Sequence, residues 1–225
     1  MAEPLTFYDR TGAAVTGVIA MPPPRAGGVP GVVLLHEWWG VNGHIKSLVD
    51  RWAGEGFIAL APSLFGGVVA KTADEAKQLM NGLDRPRALE QIDATVGYLR
   101  SITGGNGKIG VTGYCMGGAL AFAAATRVRG LAGVVPFYGL PGDGTDWSKV
   151  EAPVSAHFAS RDTWATVDGA KAVQQALQTA GKTMELHVYD ADHAFCNDTR
   201  PEVYDARAAT TAWSRATAFL RARCS

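Results

Sequence analysis

The sequence predicts an α/β protein with a mainly parallel central sheet and helices on both faces. Three observations carry that prediction. Short apolar runs are continuous rather than alternating, as in strands covered on both faces. Amphipathic stretches with helical spacing lie between them. Strand and helix signals alternate along the chain, which is how parallel strands are joined.

The elements follow in order. Residues 15–20 read as a strand. Residues 21–28, Met-Pro-Pro-Pro-Arg-Ala-Gly-Gly, read as a hairpin-type loop into the next strand rather than a domain boundary. Continuous apolar runs at 31–35, 57–61, 108–112 and 131–135 read as buried strands. Residues 154–158 and 184–189 extend the series. Helical spacing appears at 45–55, through Ile45, Leu48, Val49 and Trp52, and at 87–100, through Leu89, Ile92, Val96 and Leu99. Residues 118–127, 168–180 and 202–221 are helical in composition. Gly104-Gly105-Asn106-Gly107 precedes a strand, so it reads as a turn and not a phosphate loop.

With 225 residues, no repeat and no low-complexity linker, the chain reads as one domain, 1–225. Hydrophobic residues at 47% and charged residues at 19% suit a well-packed soluble chain. A net charge of +0 removes the electrostatic case for nucleic acid or an anionic membrane as partner. The N-terminus has no secretory pattern, and no apolar run approaches the ~20 residues of a membrane helix. Cys115, Cys196 and Cys224 fit neither a disulfide framework nor a zinc pattern. Free thiols in a cytoplasmic setting are expected, with no metal and no cofactor.

The chemistry concentrates at Gly113-Tyr114-Cys115-Met116-Gly117-Gly118, between a strand and an Ala-rich helix. This is the cysteine form of the G-x-S-x-G nucleophile elbow of the α/β-hydrolase fold. Glycines two residues either side of Cys115 clear the strained turn, and the helix N-terminus favours a thiolate. A base and its orienter belong downstream. His193 follows one strand and Asp162 another, so both reach the sheet edge where open α/β sheets bind ligands. Asp168, Asp190 and Asp192 compete with Asp162 as orienter. His157 and His187 lie mid-strand and His44 begins a helix, so these read as structural or surface groups. The backbone amides of Met116 and Trp38 are the candidate oxyanion donors. His36 ends a strand at the same edge and joins Trp39, Tyr114, Phe195 and Asn197 as a candidate pocket residue.

Several segments together resemble the dienelactone hydrolase (carboxymethylenebutenolidase) family. They are His36-Glu37-Trp38-Trp39-Gly40-Val41-Asn42, Ala61-Pro62-Ser63-Leu64-Phe65, Gly113 through Phe122, Ser160-Arg161-Asp162 and Asp192-His193-Ala194-Phe195. They run in collinear order from about residue 30 to the C-terminus. The resemblance implies a Cys115–His193–Asp162 triad, hydrolysis of an ester or lactone, and a control role for Glu37 over ionisation of the nucleophile. It also implies arginines that hold a substrate carboxylate. The place shortly after His193 carries Asn197, with Arg200 the nearest arginine, and residues 71–77 offer only lysines. A lysine cannot make the bidentate fork. The expected substrate is therefore a neutral or aromatic ester or lactone as much as a dienelactone. The chain is expected to be a monomer or small homo-oligomer. The alternatives are a catalytically weak ligand-binding scaffold on the same fold and, last, a thiol redox protein, for which no C-x-x-C exists.

Overall fold

The computed structural model describes residues 1–142 and 144–224. The strands are β1 Glu3–Tyr8, β2 Ala14–Ala20, β3 Val29–Leu35, β4 Ile58–Pro62, β5 Gly105–Tyr114, β6 Gly133–Phe137, β7 Val154–Ala159 and β8 Met184–Tyr189. The helices are α1 Gly43–Gly54, α2 Ala73–Asn81, α3 Arg85–Ser101, α4 Met116–Arg127, α5 Val167–Thr179 and α6 Ala206–Cys224. All the strands join one sheet in the order β1-β2-β4-β3-β5-β6-β7-β8. From β4 through β8 every pairing is parallel, and β1 and β2 are antiparallel additions at one edge.

The continuous apolar runs are buried on both faces because each face has its own core. On β3, Val33 and Leu35 face α3 and α4, while Val32 and Leu34 face α1 and α6. All four are fully buried. Burial of each such side chain contributes roughly 1.5–3 kcal/mol. Helix starts are set by side chains that accept the first free amides. Asn42 caps α1, Asp84 caps α3, Thr166 caps α5, and Asp205 accepts from Ala208 at the start of α6.

Two elements carried weak sequence signals. In β1 only Phe7 is buried, so an edge strand that faces solvent lacks an apolar run. In α2 only Ala76 is buried, so there is no apolar stripe to read. Its signature is a cap: Thr72 accepts from the Glu75 amide. Residues 21–28 are not a hairpin. β2 pairs with β1 and β4, and the chain crosses past β4 to begin β3. The Gly105 end of the expected turn is already strand, paired with Val29.

Candidate active site

Cys115 stands between β5 and α4 with φ 55° and ψ −115°, a backbone conformation that L-residues rarely adopt. The surroundings leave no room for side chains. A β-carbon on Gly113 would lie 2.1 Å from the Gly117 carbonyl oxygen, and one on Gly117 would lie 2.1 Å from the Leu35 carbonyl oxygen. These glycines let β5, α4 and β3 close around the turn. The strain is held by the sheet, since the Cys115 amide donates to the Phe137 carbonyl at 3.0 Å.

His193 lies on the loop after β8, with Nδ1 2.6 Å from Asp162 Oδ2. The Asp162 side chain is fully buried. Its Oδ1 accepts the amides of Trp164 at 2.8 Å and Ala165 at 2.9 Å. Burial disfavours charge on His193. The hydrogen bonds to Asp162 and to the Cys115 side chain outweigh it and push the ring up to about 10. The competing aspartates point elsewhere. Asp190 and Asp192 both pair with Arg161, and Asp168 is exposed in the first turn of α5. His157 is buried in β7 against the Tyr189 hydroxyl, His187 pairs with Glu185, and His44 pairs with Asp198.

Met116 opens α4, where the first amides have no intrahelical acceptor. The Trp38 amide, on the loop after β3, donates to no other group among the described residues. Next to it Glu37 is buried, and its Oε2 accepts from Asn197 Nδ2 at 2.8 Å. Burial raises the Glu37 carboxyl above the usual range; His44, Asn197, His193 and Arg200 oppose that shift.

Two hollows of about 300 and 290 Å³ meet at Cys115, His193, Trp164 and Met80. The first runs over Leu83, Leu89 and Leu120, with Met116 and Arg85 in its wall. The second is bounded by Glu37, Trp38, Trp39, Arg200 and Val203.

The dienelactone hydrolase family matches residues 15–224. The chain belongs to that family. "Protein usf" of Aquifex pyrophilus is 34% identical, with 95% of this chain and 96% of the relative covered. An Aquifex aeolicus relative named "Putative carboxymethylenebutenolidase" is 31% identical, again over 95% and 96%. The crystal structure named "Putative Dienelactone Hydrolase" from Klebsiella pneumoniae subsp. pneumoniae superposes with a TM-score of 0.88 at 27% identity, covering 98% of each chain. The protein is thus a dienelactone hydrolase-like ester or lactone hydrolase of the α/β-hydrolase fold.

Within this dienelactone hydrolase framework the structure redraws the pocket. Trp39 lines the second hollow. His36, Tyr114, Phe195 and Asn197 line neither hollow; all four are buried behind the walls. His36 is fixed by backbone on both sides: Nδ1 donates to the Glu37 carbonyl at 2.6 Å and Nε2 accepts the Leu64 amide at 3.1 Å. That pattern requires a neutral ring, and burial lowers its pKa to about 4. Tyr114 ends β5 with its side chain in the core towards α1 and α6, stacked on Phe137 with ring centroids 4.6 Å apart. Phe195 packs on Tyr138 and Tyr189, and Asn197 holds Glu37. Sequence reading passed over Trp164, Met80 and Arg85. Trp164 had a local cue, a large apolar side chain two residues beyond Asp162. Met80 and Arg85, on α2 and α3, had none.

Proposed function

We propose that this hydrolase cleaves carboxylic esters or lactones through a Cys115–His193–Asp162 triad and a thioester intermediate. The observation that carries this reading is the 2.6 Å contact between Asp162 and His193 beside a strained Cys115 in one cavity. A ring held in its protonated form by Asp162 and the Cys115 side chain suits His193 to give a proton to the leaving oxygen.

In the first half-reaction the Cys115 sulfur adds to the carbonyl carbon and the π pair moves to oxygen. The amides of Met116 and Trp38 stabilise that oxyanion. Its collapse forms the thioester and breaks the C–O bond, and His193 gives its proton to the departing oxygen. In the second half-reaction neutral His193 takes a proton from water, whose oxygen adds to the thioester. Collapse of this adduct releases the carboxylic acid product and restores the thiolate and the imidazolium. Asp162 holds the ring orientation throughout.

Glu37 lies beside this path. A carboxyl raised by burial, held on one oxygen by Asn197 and open to the cavity, suits control of the nucleophile's charge as substrate enters. A small-molecule substrate, a monomeric or small oligomeric state and a reducing cytoplasmic setting complete the reading. Three free cysteines accord with that setting, and among the described residues no helix is long and apolar enough to cross a membrane. The direct test is turnover of a p-nitrophenyl ester by Cys115→Ala. Loss of turnover is expected, and undiminished turnover overturns the mechanism.

A further inference from the structure

We propose that Trp164 is a specificity residue that stacks an aryl group of the substrate against the Trp38–Trp39 side of the cleft. The inference rests on the hydrolase reading above and adds the substrate class: esters or lactones carrying an aromatic ring.

Trp164 is 69% exposed, although it borders both hollows and stands beside His193. Its ring centroid is 6.2 Å from that of His193 and 6.2 Å from that of Trp38, which it meets at 75°. Trp38 in turn meets Trp39 edge-on at 5.2 Å. Three of the chain's six tryptophans therefore share one mouth. An indole left this open gains little from packing within the protein, whereas a flat ligand ring would cover it.

The position of Trp164 is fixed by the triad's own carboxylate. Asp162 presents Oδ2 to His193 and Oδ1 to the Trp164 amide, both at 2.8 Å or less. One buried group thus sets the register between the base and the aromatic platform. The two charged side chains on this side that lie outside the proposed triad are each engaged by a neighbour, Glu37 by Asn197 and Arg200 by Glu202. Arg200 in the same hollow donates to Glu202 at 2.8 Å, which offsets its pull on an anionic substrate. Beyond Glu37, Arg200 and the Cys115–His193 pair, the non-aromatic neighbours, Val203, Ala194 and Met80, are apolar.

The test compares kcat/KM for phenyl acetate and methyl phenylacetate with that for methyl acetate, in wild type, Trp164→Phe and Trp164→Leu. The aryl-to-methyl ratio should fall about tenfold in Trp164→Leu, mainly through KM, and stay within about twofold in Trp164→Phe. Equal ratios in all three proteins, or an equal fall in Phe and Leu, overturn the proposal. Calorimetric titration of phenylacetate into Cys115→Ala, with and without Trp164→Leu, reads binding apart from turnover. About tenfold weaker binding with Trp164→Leu is expected, and unchanged binding counts against the platform. If Cys115→Ala still turns over esters while the aryl preference still follows Trp164, the thioester mechanism fails and this inference stands.

Discussion

Asp162 and His193 are joined by a 2.6 Å contact from loops that follow different strands, β7 and β8. The pairing of those strands brings residues 31 positions apart into one hydrogen bond. With its side chain fully buried and its other oxygen taken by two amides, Asp162 has little freedom to move.

Asp162→Asn should therefore keep the fold and lose the chemistry. An amide can hold the wrong tautomer of the ring, and the loss of kcat for this change in a serine triad is roughly 10⁴-fold. Steady-state kinetics with a chromogenic ester reads this. A loss below tenfold would mean that another group orients His193.

The three thiols should differ in reactivity. Burial pushes Cys224 up to about 11 and Cys196 further still, with Glu37 adding to the latter. Both remain thiols at neutral pH. Iodoacetamide at pH 7 should therefore mark Cys115 alone, as read by peptide mass spectrometry. Earlier modification of Cys196 or Cys224 would contradict the assignment.

The raised His193 has a calculable sign. Unfolded, the ring titrates near 6.5; folded, near 10. Its proton stabilises the fold fully below about pH 6.5, and that contribution drains away as pH rises to about 10. The drop in Tm between pH 7 and pH 10 should be smaller in His193→Gln than in wild type. Activity should fall on the alkaline side near pH 10 as His193 loses its proton. Parallel melting profiles for the two proteins would remove this account.

Glu37 has the same sign in a lower pH window. Its carboxyl is raised in the folded protein, so the unfolded chain ionises first and stability falls as pH climbs above about 4.5. Glu37→Gln removes the buried charge and keeps an acceptor for Asn197. It should melt higher than wild type at pH 8, with a smaller difference at pH 4, while kcat/KM drops. Unchanged kinetics would leave Glu37 as a structural carboxyl only.

Gly117→Ala tests the elbow. The added β-carbon would meet the Leu35 carbonyl oxygen at 2.1 Å, a backbone atom that cannot swing aside. Overpacking of this kind costs about 1–3 kcal/mol, or roughly 2–4 °C of Tm per kcal/mol at this chain length. A thermal melt that matches wild type would show that the turn can relax.

The parallel sheet, the strained turn at Cys115 and the strand ends that carry the proposed triad were legible in the sequence, because each rests on local rules. Continuous apolar runs mark strands buried on both faces, as in β3 and β4. The flanking glycines of Cys115 mark a turn without side-chain room. Chain order and strand ends carried His193 and Asp162 to one sheet edge. Tertiary structure decided what surrounds them. Strand alternation turned Tyr114 into the core, and backbone partners on both ring nitrogens withdrew His36 from the pocket. Packing of α2, α3 and the loop after β7 brought Met80, Arg85 and Trp164 to Cys115 from separate parts of the chain. The groups proposed for catalysis lie next to local motifs: a turn and two strand ends. A binding surface forms where distant elements meet, and that depends on how the helices and loops pack over the sheet.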